Sequence, residues 1–127
     1  MTEMKSELVF VYGTLKSGHG NNRILKWGDA VLLGDYMTEY PYPMFVSGLP
    51  YLMERCGEGK HVIGEVWACD WHTVADMDRL EGHPSFYRRK AIVVRNINNE
   101  RRNNAWVYFY QGNINCEKYV SEYKRLV

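Results

Sequence analysis

The sequence predicts an α+β domain built on a mostly antiparallel β-sheet or small barrel flanked by a few helices. Three observations support this. About six runs rich in β-branched and aromatic residues are spread along the 127 residues. Two or three segments of helical periodicity are interspersed among them. No regular strand–helix–strand alternation joins them, as a parallel sheet would require.

Leu8–Tyr12 (LVFVY) reads as a buried first strand, halted by the glycine-rich loop Gly13–Asn22. Asn21–Ala30 reads as a short helix with Ile24, Leu25 and Trp27 turned inward, and Val31–Tyr36 as a second strand. Prolines break Tyr40–Val46, which is expected to be edge strand or extended loop. His61–Cys69 reads as a strand bulged at Gly64. In Trp71–Leu80 the apolar residues 71, 74, 77 and 80 recur at helical spacing, with Asp70 as N-cap and Gly82 as stop. Tyr87–Ile97 and Ala105–Tyr110 are strands of a hairpin closed by the polar turn Asn98–Asn104. Asn115 is placed to cap a terminal helix in which Tyr119, Val120, Tyr123 and Leu126 share a face.

Residues 1–127 are expected to form a single domain, since the chain is long enough for one core and too short for two. Net charge is +1 and the densest basic cluster is Arg88-Arg89-Lys90, so nothing points to nucleic acid or an acidic membrane. The polar start MTEMKSE has no apolar core of a signal peptide, and no run reaches membrane-span length. Three cysteines without paired spacing (Cys56, Cys69, Cys116) fit free thiols in a reducing cytoplasm. A cytoplasmic monomer is the expectation.

Chemistry-bearing patterns are few. The loop Gly13-Thr-Leu-Lys-Ser-Gly-His-Gly matches neither G-x-x-x-x-G-K-[ST] nor G-x-G-x-x-G. It reads either as a plain connection or as a tight turn that aims backbone N–H groups at a ligand oxygen. His19, His61, His72 and His83 are scattered without a metal-binding spacing, so no metal is expected. No cysteine sits in a reactive context. Glu81 stands out, because it projects within roughly 20° of Val74 on the helix, among apolar neighbours, although Asp78 falls toward the same sector. Two readings stand. Glu81 is a desolvated carboxyl tuned for proton transfer, or it is a helix-end carboxylate paired with Arg88 or Arg89.

Tyr12-Gly-Thr-Leu15 after an apolar strand, together with Leu80-Glu-Gly-x-Pro-x-x-Tyr-x-Arg89, closely resembles the γ-glutamylcyclotransferase-like superfamily. The nearest branch is similar to the γ-glutamylamine cyclotransferases and the plant avirulence-induced proteins. The similarity continues through YPM at 42–44, GEVWACD at 64–70 and WVY at 106–108. The resemblance implies a small β-barrel flanked by helices and a reaction without metal or cofactor. In it the α-amine of a γ-glutamyl group attacks its own γ-amide, giving 5-oxoproline and a free amine. It also implies that Glu81 is the catalytic carboxyl, that Tyr12, Gly13, Thr14 and Leu15 cradle the substrate, and that Tyr87 lines the pocket. The alternatives are a non-catalytic small-molecule binding module of the same fold and an interaction protein presenting tyrosines.

Overall fold

The computed structural model describes residues 5–115 and 118–124. Five strands close into a barrel: β1 (Glu7–Val11), β5 (Ile63–Cys69), β2 (Val31–Thr38), β6 (Tyr87–Asn96) and β7 (Arg102–Tyr110), in that order. Every pair is antiparallel except the closure, where β7 runs parallel to β1 at Val9 and Trp106. Outside the barrel β3 (Met44–Ser47) and β4 (Leu49–Leu52) form a separate hairpin. The helices are α1 (Arg23–Trp27), entered through a 3-10 turn at Gly20–Asn22, and α2 (Trp71–Glu81). No helix among the described residues is long and apolar enough to cross a membrane.

Two apolar clusters follow from the two faces of each strand. Phe10, Tyr12, Val66, Val94, Ala105, Val107 and Phe109 belong to one, which also takes in Met44 and Leu52 of the hairpin. A five-stranded barrel has room inside for side chains alone. Their alternate neighbours Val9, Val11, Trp67, Tyr87 and Tyr108 pack with Leu25 of α1 and Val74 and Met77 of α2. The helices therefore cover the outer face of the barrel.

The ends of α2 match their sequence signals. Asp70 accepts from Thr73 N at 2.9 Å, and Gly82 adopts φ 66°, sending its N–H back to Asp78 and Arg79 carbonyls. Four expectations are corrected. Trp27 is 76% exposed rather than inward, because α1 is one short turn whose buried contact is Leu25. The bulge lies in β2, where the register shifts between Leu32 and Gly34, while Gly64 stays paired with Tyr36. Residues 49–52, given no element above, are β4, pinned to β3 from Met44↔Leu52 to Ser47↔Leu49. Residues 118–124 are not helical: Val120 N donates to Met44 O and Ser121 O accepts from Ile63 N, so this segment uses its backbone to pair with the hairpin and β5. The remaining part of the expected terminal helix, including Leu126, lies outside the described residues, as does Cys116.

Candidate active site

The first strand ends at Val11, and the chain then turns sharply: Lys16 N donates to Gly13 O at 3.0 Å. Asn21 and Asn22 hold the turn from behind. Asn21 donates from its backbone to Thr14 O (3.1 Å) and from its side chain to Thr14 Oγ1 (2.8 Å), while Asn22 Nδ2 donates to Leu15 O (2.8 Å). The N–H groups of Gly13, Thr14 and Leu15 have no acceptor among the described residues. Gly13 does not need a positive φ. A side chain there would place its Cβ 2.7 Å from Pro50 Cγ, so glycine is required by the close approach of the hairpin.

Gly13, Thr14, Leu15 and Asn21 line a cleft of about 180 Å³. Glu81, in the last turn of α2, lines it too, as do Tyr12, Tyr87 and Tyr108, with Leu49 and Pro50 of the hairpin and Leu80 and Phe86 completing the wall. Each of the three phenols is anchored by a hydrogen bond. Tyr12 OH donates to Tyr108 O (2.5 Å), Tyr87 OH to Pro50 O (2.7 Å) and Tyr108 OH to Asp78 Oδ1 (2.6 Å). Burial, reinforced by the neighbouring carboxylates, pushes all three phenols up, so they remain neutral donors.

Glu81 forms no hydrogen bond or ion pair with any described residue, and neither Arg88 nor Arg89 reaches it. The arginine of this segment serves Asp78 instead: Arg89 Nε and Nη2 meet its two carboxylate oxygens at 3.0 and 3.2 Å. Two carboxylates one turn apart thus diverge. At Asp78 burial pushes the carboxyl up, but the Arg89 fork and the Tyr108 hydroxyl outweigh it and hold it below its ordinary value. At Glu81 burial acts unopposed and pushes the carboxyl from 4.5 up to about 7.

All six residues singled out from the sequence, Glu81, Tyr12, Gly13, Thr14, Leu15 and Tyr87, meet in this one cleft. Among the described residues no group of three or more His, Cys, Asp or Glu side chains is placed to hold a metal ion, and Cys56 and Cys69 are free thiols. Sequence reasoning passed over Tyr108. The signal for Tyr108 was the alternation in β7, where Trp106, Tyr108 and Tyr110 share one aromatic face. The stretch holding Leu49 and Pro50 gave no strand signal, because a proline in a four-residue strand argues against strand.

A model of the family described as "Gamma-glutamyl cyclotransferase, AIG2-like" matches residues 9–125. The chain belongs to that family. It is an enzyme of this kind. The human γ-glutamylaminecyclotransferase is 39% identical over 93 residues, which span 68% of this chain and 61% of the human one. A Methanocaldococcus jannaschii protein, whose name provisionally places it among the γ-glutamylcyclotransferases, is 38% identical over 105 residues, 82% of this chain and 84% of its own. The crystal structure of an AIG2-like protein from Mus musculus superposes with a TM-score of 0.85 at 26% identity, covering 93% of this chain and 88% of that one. The family's small barrel with flanking helices, expected from the resemblance, is the fold observed.

Proposed function

We propose that this cleft cyclises a γ-glutamyl amine to 5-oxoproline and a free amine, with Glu81 carrying the proton. The observation that supports it most is a half-buried carboxyl with no described partner, pushed to about 7, on the same small cleft as a turn whose backbone N–H groups have no acceptor among the described residues.

The substrate's α-ammonium gives a proton to the Glu81 carboxylate. The freed nitrogen attacks the γ-amide carbonyl carbon and closes a five-membered ring. The carbonyl oxygen takes up negative charge in the tetrahedral intermediate, and N–H groups of Gly13–Leu15 are the donors for that oxygen or for the substrate's α-carboxylate. Collapse restores the C=O and breaks the bond to the leaving nitrogen, which takes the proton back from Glu81; the ring nitrogen then gives up its second proton through Glu81 to the departing amine, which leaves as an ammonium. A carboxyl near 7 exists in both forms at neutral pH, so it serves as base and then as acid. Nucleophile and electrophile belong to one molecule, so the protein's task is to fold the substrate into its cyclising shape, and no cofactor enters the scheme. The described lining residues include no Lys or Arg. A leaving group with its own carboxylate would meet no counter-charge there, which favours an amine over an amino acid.

The test is 5-oxoproline release from a panel of γ-glutamyl amines and γ-glutamyl dipeptides by wild type and Glu81→Gln. Product from wild type and none from the variant is the expected result, with amines ranking above dipeptides. Product from a folded Glu81→Gln protein at the wild-type rate overturns the role given to Glu81.

A further inference from the structure

We infer that Asp78 and Tyr108 are positioning residues that aim Glu81 into the cleft by fastening α2 to the barrel wall. The inference rests on the proton-carrier reading of Glu81 and adds what holds that carboxyl in place.

No described side chain hydrogen-bonds Glu81, so nothing at the carboxyl itself fixes its direction. The constraint must come through the helix that bears it. One turn earlier, Asp78 Oδ1 accepts from Tyr108 OH at 2.6 Å and from Arg89 Nε at 3.0 Å, while Oδ2 accepts from Arg89 Nη2 at 3.2 Å. Residues three apart stand on adjoining parts of a helix face, so a clamp on Asp78 also sets the rotation of Glu81. Arg89 is held in turn: its guanidinium lies 4.3 Å from the Trp106 ring centroid in β7 and 5.7 Å from that of Trp71, which opens α2. The helix is therefore fastened near both its ends.

Tyr108 joins the two halves of the site. Its side chain holds Asp78 of α2, and its main-chain carbonyl accepts from Tyr12, the first residue of the cradle. It is 3% exposed, and losing either bond would leave a polar atom in apolar surroundings. Displacement of α2 would change the distance from Glu81 to the turn and would also let water onto the carboxyl.

The second consequence separates positioning from plain stabilisation. Desolvation is what lifts Glu81, so a looser helix lets it titrate closer to 4.5. The groups facing Glu81 are the phenols of Tyr12 at the end of β1, Tyr87 in β6 and Tyr108 in β7, all held neutral by burial. On α2 itself the neighbouring charge is Asp78, neutralised by Arg89 of β6. Asp78→Asn removes that charge; Tyr108→Phe removes one hydroxyl and leaves both charges in place. A fall shared by both variants is therefore not lost Coulomb repulsion.

The experiment is an NMR titration of side-chain carboxyl carbons in wild type, Asp78→Asn and Tyr108→Phe, with Glu81 assigned by the signal missing in Glu81→Gln. Wild-type Glu81 should titrate at about 7. In both variants it should move toward 4.5 by about one pH unit, with kcat down roughly tenfold and KM within about twofold. Arg89→Lys serves as a third variant if Asp78→Asn does not fold. Unchanged titration near 7 in folded variants overturns the positioning role alone. A wild-type Glu81 titrating near 4.5 overturns the proton-carrier reading and this inference with it.

Discussion

Replacing Glu81 by Gln should make the protein more stable at neutral and alkaline pH, even as it loses activity. The sign follows from the direction of the shift. Glu81 titrates at 4.5 in the unfolded chain and at about 7 in the fold, so the fold disfavours its charged form. Below pH 4.5 the carboxyl is neutral in both states and costs nothing. Between 4.5 and 7 the unfolded chain ionises first, and the folded state loses stability as pH rises. Above 7 the penalty is constant. At about 1.4 kcal/mol per pH unit, the gap between 4.5 and about 7 sets a ceiling of about 3–4 kcal/mol. The carboxyl is partly open to the cleft, and water there reduces the figure to about 1–2 kcal/mol. Gln is close in shape and cannot ionise, so the variant escapes that penalty. For a chain of this size the gain corresponds to roughly 3–10 °C in Tm. Urea unfolding of both proteins near pH 4, 6 and 8 would measure it. The two curves should nearly coincide near pH 4 and separate in favour of Gln by pH 8. A difference that is flat with pH, or a wild type that is the more stable at pH 8, would refute the desolvation argument.

The same shift predicts that kcat/KM falls on the acid side with an apparent pKa near 7, because protonated Glu81 cannot accept the ammonium proton; a limb near 4.5 in the pH–rate profile would contradict it. Gly13→Val should raise KM by about tenfold or more, since its Cβ meets Pro50 Cγ at 2.7 Å and the hairpin wall has to retreat; normal kinetics in a folded variant would remove the turn from the binding site. Asp70→Ala should lower stability by about 1 kcal/mol through the lost cap on Thr73, read by thermal unfolding, with KM unchanged. Tyr87→Phe should leave Pro50 O without its 2.7 Å donor and cost about 1 kcal/mol, with a rise in KM as β4 loosens; an unaltered KM would show that the hairpin is held by other contacts.

What could be read from the sequence is what local chemistry decides. Asp70 and Gly82 bound α2 because a cap and a left-handed stop act within a few residues, and the strand at Tyr87 begins where the turn after Gly82 ends. Glu81 was visible because a carboxyl among Val74 and Met77 violates helical patterning. What stayed hidden depended on distant partners. Arg89 reads as a mate for Glu81 at the helix end, yet its fork fits Asp78, and only the placement of β6 against α2 decides between them. The spacing of Tyr119, Val120 and Tyr123 suits a helix face. In the fold, Met44 O and Ile63 N supply the backbone of that segment with sheet-like partners, and Val120 and Tyr123 reach the barrel core without helical turns. Trp27 looked buried by spacing, but the one turn of α1 buries Leu25 fully and Ile24 in part and leaves Trp27 outside.

The hairpin β3–β4 stands apart from the closed barrel, yet it supplies Leu49 and Pro50 to the cleft. A closed barrel is a poor place to vary a binding site, since each strand is committed to two neighbours. In the hairpin β3 meets Val120 N at Met44 O, whereas the strand partners of Leu49 and Pro50 are Ser47 and Val46 of the hairpin itself. Substitutions at residues 49 and 50 can widen or narrow the space beside Gly13 while leaving α2, Glu81 and the barrel ladder untouched. On the proposed reading the wall beside the turn and the proton carrier sit on different pieces of chain, so the hairpin can be engineered without retuning Glu81.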